Sequence, residues 1–182
     1  MDCVKSQNKI NEDNPQIYVA CLSAYNNGYL HGGWIDASEG IEHVRECIKE
    51  ILKSSPVAEE CEEWAIHDFQ GFGNYKVDES HDLEELCKVA EFLRECDKFP
   101  AEVVSWLIDD YGIDGAKEKM EDDYIGEFDT SSDFAYHYVE DSGMLEGISK
   151  DIAMYFDYDS LGRDLDLNGD VISFSGHYFW SR

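Results

Sequence analysis

Carboxylates are the side chains in this sequence whose number and spacing could do chemistry, and they crowd between Asp109 and Asp170. The candidate surface comprises Asp109, Asp110, Asp114, Glu118, Glu121, Asp122, Asp123, Glu127, Asp129, Asp133, Glu140, Asp141 and Asp151. Lys117, Lys119, Lys150 and Arg163 are the only Lys or Arg in the whole stretch. A one-signed array repels itself, so it asks for a cationic counterpart rather than a role in stability. Ile125, Phe128, Phe134, Tyr138, Ile148, Ile152, Tyr155 and Phe156 run through the same residues. A disordered acidic tail lacks such side chains, because it cannot offset ordering entropy by burial. The stretch is therefore read as folded structure that holds carboxylates at fixed places.

The spacing suits a cleft that normally holds duplex. B-DNA presents about one charge per 1.7 Å of axis, counting both strands. A helix rises about 1.5 Å per residue, and residues three or four apart share a face, so acids at that interval recur about every 5 Å. Asp110, Asp114, Glu118 and Glu121 keep the interval if the helix there is nearly continuous, and Asp133, Glu140 and Asp141 add to it on the next helix. Binding of this kind is steered electrostatically and weakens as salt rises. The competing reading is solvent cover, the usual role of a charge run. Against it, ordinary surfaces mix both signs.

Other chemistry finds less support. Asp164 to Asp170, D-L-D-L-N-G-D, fits the first seven positions of a calcium loop with Gly169 sixth. The bidentate Glu required at position twelve is Ser175 here, so a helix end running into a turn is the better reading. His67-Asp68 suggests an acid–base pair, but neighbours on a strand point to opposite faces. His31, His43, His81, His137 and His177 share no metal-ligand spacing with each other or with the cysteines. No glycine-rich phosphate loop is present. The chain is read as a non-enzyme with no cofactor, no metal and no small-molecule substrate.

The elements that must position the acids follow from periodicity. Residues 1–14 read as a disordered lead-in. Ile17 to Tyr25 and Tyr29 to Ile35 read as two strands of a hairpin turning at Asn26-Asn27-Gly28, with Gly32-Gly33 a bulge or a close backbone contact. Ile41, Val44, Ile48, Ile51 and Leu52 make a helical stripe, and Glu63 to Phe69 alternates as a strand. Asp82 caps a helix with stripe Leu83, Leu86, Cys87, Ala90 and Leu93. A second helix follows Pro100 with apolar face Val103, Val104, Leu107, Ile108 and Tyr111, capped by Gly112, and Asp114 opens a short third ending near Asp123. Thr130-x-x-Asp133 opens a helix that Gly143 ends. Leu145 to Tyr155 and Asp159 to Leu165 read as two more, Asn168-Gly169 as a turn, and Val171 to Trp180 as a strand. The expected class is α+β: an N-terminal α+β domain over 15–78, a central helical domain over 79–117, and a C-terminal α+β acidic domain over 118–182.

Composition narrows the partners. The net charge is −27 at neutral pH. Free nucleic acid and anionic membrane are repelled, and basic proteins or nucleic-acid-binding clefts fit. No apolar run of about 20 residues marks a membrane span. The cysteines (Cys3, Cys21, Cys47, Cys61, Cys87 and Cys96) make no C-x-x-C pair, and with no signal peptide in view a reduced, cytoplasmic protein is expected.

Four segments carry a resemblance to a known family. They are P-Q-I-Y-V-A-C-L-S-A-Y-N-N-G-Y-L-H-G-G-W-I-D-A from Pro15, E-E-W-A-I-H-D-F-Q-G-F from Glu62, D-F-A-Y-H-Y-V-E-D-S-G from Asp133, and Y-F-D-Y-D-S-L-G-R-D-L from Tyr155. In this order they closely resemble the ArdA antirestriction family, over all but the first fourteen residues. Gly162 stands where the resemblance leads to Ala. The resemblance implies a DNA mimic encoded on mobile elements that binds type I restriction–modification enzymes and blocks their access to DNA. It further implies an elongated homodimer of three small domains per chain, joined through the C-terminal domains, with Phe156 and Tyr158 at the interface. Trp34 and Trp64 are expected in the core. The alternatives are an acidic adaptor that binds a basic partner without displacing DNA, and a calcium-dependent module.

Overall fold

The computed structural model of the chain describes residues 14–57 and 62–182. The expected lead-in, apart from Asn14, lies outside them. The chain divides into two compact units, one ending at Ile113 and one running from Asp114 to Arg182.

The first unit is built on strands β1 (Gln16–Cys21), β2 (Gly32–Asp36) and β3 (Trp64–Gln70), in antiparallel order β2-β1-β3. Helix α2 (Ile41–Lys53) lays Val44, Cys47, Ile48 and Ile51 against this sheet, where Ile17, Val19 and Ile35 are fully buried. The β1–β2 connection is not the expected tight hairpin. Strand β1 stops at Cys21, whose sulfur accepts from Ala24 N and caps a short helix, α1 (Leu22–Asn26). Asn27 and Gly28, with φ of 82° at Gly28, therefore end a helical turn rather than a two-residue β-turn. Gly32 does make the expected close contact: a Cβ there would stand 2.5 Å from the Val19 carbonyl oxygen. Cys21 is disulfide-bonded, against the expectation of reduced cysteines, while Cys47, Cys87 and Cys96 form no disulfide. Sequence spacing is silent on such a bond, because it depends on the approach of Cα atoms in the fold.

Helix α3 (Leu83–Glu95) is capped as expected, Asp82 accepting from Glu84 N at 3.0 Å and Glu85 N at 2.9 Å. It packs on α2 and on the 3-10 turn at Ala37–Glu39, so it shares the unit of the first sheet. Helix α4 (Ala101–Asp122) buries Val103, Val104, Leu107 and Ile108, whereas Tyr111 is exposed. Its backbone leaves helical geometry at Gly112, φ 71° and ψ 175°. That conformation is left-handed and suits glycine alone.

The second unit pairs β4 (Tyr124–Glu127), β5 (Val171–Phe174) and β6 (His177–Trp180) in antiparallel order β4-β6-β5. The single strand expected over 171–180 is thus a hairpin. Ser175 and Gly176, both at positive φ, supply its turn, and that pair is the signal the alternation concealed. Helix α5 (Ser131–Ser142) begins at Thr130, which accepts from Asp133 N at 3.1 Å, and ends at Gly143 in the left-handed region. The second expected helix shrinks to α6 (Lys150–Ala153), because Gly147 at φ 81° interrupts it. The third, α7 (Tyr158–Asn168), is longer than expected and ends at Gly169. Phe134, Leu165, Val171 and Tyr178 form the core, with the Phe134 and Tyr178 rings stacked at 4.5 Å.

Gly162 has a positive role in this unit. Helices α5 and α7 pack closely, and a Cβ at Gly162 would fall on the Ser131 main-chain carbonyl, 2.7 Å from its carbon. We expect Gly162→Ala to cost about 1–3 kcal/mol, the usual penalty for overpacking. Urea unfolding of the variant checks this, and an unchanged midpoint would refute the close packing.

Candidate functional site

The acids divide among several elements. Asp109 and Asp110 end the part of α4 before Gly112, in the first unit. Asp114, Glu118, Glu121 and Asp122 lie on the part after it, in the second. Glu127 ends β4, Asp129 precedes α5, Asp133 sits in the first turn of α5, Glu140 and Asp141 in its last, and Asp151 in the first turn of α6. All twelve of these are exposed.

Asp123 is the exception and leaves the surface. It is buried, and its carboxylate is held by two cations: Lys119 Nζ donates to Oδ2 at 2.8 Å and Arg182 Nε to Oδ1 at 2.8 Å. Hydrogen bonds from Lys119 and then Arg182 hold it below the usual carboxylate pKa. Sequence held a sign of this. At 100° per residue, Lys119 and Asp123 stand about 140° and 180° around the helix from Asp114, on the inner side.

The cadence from Asp110 to Glu121 also needs correction. Gly112 breaks the helix, so Asp110 does not continue the row. Asp114, Glu118, Glu121 and Asp122 do share one face, within a sector of about 100°. Few cations offset the exposed acids. Lys117 stands 4.0 Å from Glu121, and His137 Nε2 is 3.1 Å from Asp141 Oδ2. Among the described residues no ion pair engages Asp109, Asp110, Asp114, Glu118, Asp122, Glu127, Asp129, Glu140 or Asp151. Glu140 and Asp141 moreover occupy the helix end where the macrodipole disfavours an anion by about 0.3–1 kcal/mol. At that end of α5 charge is placed against local stability.

The residues considered for other chemistry are scattered. His67 is the extra residue of a β-bulge, since Tyr18 pairs with Asp68 and Val19 with Ile66. Its ring meets Tyr25 edge-on at 5.3 Å, while Asp68 Oδ1 accepts from Phe69 N. His31 contacts the Ile51 carbonyl, His43 contacts Cys47, His81 contacts Tyr75, and His177 contacts Tyr124. Burial pushes the Cys87 thiol up to about 11, so it stays protonated at neutral pH. Among the described residues no group of three or more His, Cys, Asp or Glu is placed to hold a metal. Asp164 and Asp166 lie on α7 and Gly169 caps it, so the calcium-like heptad is a helix end. No helix among the described residues is long and apolar enough to cross a membrane.

Phe156 and Tyr158 are half-buried, with rings 4.9 Å apart, and Tyr158 also packs on Tyr136 at 5.3 Å. Their neighbours are the more exposed apolar groups: Ile152 at 66%, Met154 at 72% and Tyr155 at 82%. Trp34 and Trp64 are half-buried rather than fully internal.

A family model described as antirestriction protein (ArdA) matches residues 17–180. No curated protein matches the chain.

Proposed function

Since the chain belongs to the ArdA antirestriction protein family, we propose that it acts as a DNA mimic, entering the DNA-binding cleft of type I restriction–modification enzymes and inhibiting them. One observation carries the reading. Twelve exposed carboxylates, eleven of them on helices or strands, mostly have no ion pair of their own, in a chain of net charge −27. A Lys- and Arg-lined cleft would supply the missing counter-charge, and association would be steered by it. The protein then works as an inhibitor rather than an enzyme, and no cofactor enters.

The homodimer belongs to this proposal. Ile152, Met154 and Tyr155 supply exposed apolar area beside Phe156 and Tyr158, and such area in a soluble chain suits burial against a second copy.

A competition assay tests the function. The methyltransferase core of a type I enzyme is held on labelled duplex, and the protein is titrated in at two salt concentrations. Stoichiometric release of duplex is expected, weaker at the higher salt because exposed charges are screened beyond about 10 Å at 0.1 M. Binding to the core without release of duplex would favour an acidic adaptor. No binding by a folded sample would refute the proposal.

A further inference from the structure

Lys119 is the one cation of the acidic helix that does not face solvent. Its side chain is 8% exposed. The ammonium has three N–H bonds and an acceptor for each: Asp123 Oδ2 at 2.8 Å, Trp180 O at 2.8 Å and Arg182 O at 2.7 Å. Asp123 returns the link, since its main-chain oxygen accepts from Trp180 N at 2.9 Å and its carboxylate from Arg182 Nε. Arg182 Nη2 reaches the Asp122 carbonyl at 3.5 Å. Residues 119–123 and 180–182 are thereby stitched by side chain and main chain together.

This geometry separates two cations that composition treats alike and that helical phase only hints at. Lys117 and Lys119 both interrupt the acidic run. Lys117 is exposed and 4.0 Å from Glu121, a contact worth little in water. Lys119 faces inward, about 140° around the helix from Asp114, and points at the end of β6. With the inner side anchored, the opposite side carries Asp114, Glu118, Glu121 and Asp122 outward.

We propose that Lys119, acting with Asp123, is the positioning residue of the acidic row: it fastens the helix after Gly112 to the end of β6 and so fixes where its four outward carboxylates stand. The proposal rests on the mimicry reading. A mimic gains from rigidity because a row already in place loses no ordering entropy when it enters a cleft. Lys119 therefore supports anion display although it carries the opposite charge.

Lys117→Met and Lys119→Met test this directly, since each removes one positive charge from the same helix. The probe is the methyltransferase core of a type I enzyme on labelled duplex, and amide exchange over residues 113–122 is read in parallel. Charge alone predicts that both variants displace duplex at least as well as the parent. The clamp predicts that Lys117→Met does so, while Lys119→Met is weaker by roughly tenfold, exchanges faster over 113–122 and shows a shallower salt dependence. Mere loss of folded fraction would lower apparent affinity without changing the salt dependence of the bound form. Should Lys119→Met fail to fold, Asp123→Asn keeps the shape, removes the carboxylate's charge, and is expected to give the same triad of changes in smaller measure. Equal behaviour of Lys117→Met and Lys119→Met would overturn the proposal. If the parent displaces no duplex, the mimicry reading fails by itself, and exchange still decides the clamp: faster in Lys119→Met alone keeps it, equal in both removes it.

Discussion

Asp123→Ala destabilises the unit from Asp114 to Arg182 by about 3 kcal/mol, as expected for a buried ion pair that loses one partner. The physical reason is what remains. Lys119, 8% exposed, keeps its charge and two main-chain oxygen acceptors but loses the Asp123 carboxylate that helped offset its desolvation. The lower end of the range applies because the Arg182 side chain lying over the site is itself 73% exposed, so water softens the loss. Urea unfolding followed through amide exchange in β6 measures the change, and a cost below about 1 kcal/mol would make the pair a surface contact.

Acid gives the same prediction a second signature. Hydrogen bonds from Lys119 and Arg182 hold the Asp123 carboxyl below its ordinary value. A carboxylate with a lowered folded pKa binds its proton less readily in the folded chain than in the unfolded one. Its stabilisation is complete above the unfolded value, about 3.9, and is lost as pH falls through the lower folded value. The stability gap between the parent and Asp123→Ala is therefore constant near neutrality and narrows only below about pH 4. A gap that closes instead around pH 6–7, where histidines titrate, would assign the effect to another group.

The triple change Asp114→Asn, Glu118→Gln and Glu121→Gln is the second large effect, and it acts on binding. Charge pairs that remain partly solvated contribute about 0.2–1 kcal/mol each, so the three together should weaken displacement of duplex by about 3- to 150-fold. Each single change should cost less than about fivefold. The same substitutions remove like-charge neighbours spaced three and four apart, which repel by about 0.2–0.5 kcal/mol, so stability should hold or rise slightly. Binding that falls while stability does not is the mark of a functional surface rather than a structural one. Asp110→Asn probes a separate element, because Gly112 ends the helix that carries it. One single neutralisation that abolished binding would argue against a spread surface.

Much of the local structure was legible in the sequence because the forces that set it are local. Asp82 and Thr130 cap helices, Gly112 and Gly143 end them, and the stripe from Val44 to Ile51 faces a sheet. Each of these follows from a side chain reaching main chain two or three residues away, or from a period of 3.6. Net charge was legible too, and so was the exposure of twelve of the thirteen candidate acids, since an uncompensated carboxylate does not survive burial. The family was legible in four segments of sequence.

Where sequence fell short, a distant partner decided the outcome. Asn26-Asn27-Gly28 reads as a hairpin turn, yet the Cys21 sulfur caps a helix before the chain reaches it. Val171 to Trp180 alternates as one strand, but β6 pairs with β4 and β5 on either side, which requires a reversal at Ser175-Gly176. Gly162 looks like a weak point in a helix until Ser131 is set against it. Asp123 is one aspartate among many along the chain, and only the return of Trp180 and Arg182 to its side turns it from surface charge into anchor. Composition determined that this protein would be anionic and folded. Tertiary structure decided which carboxylates remain on display, because burial and ion pairing depend on residues about sixty positions away, and no local pattern encodes that approach.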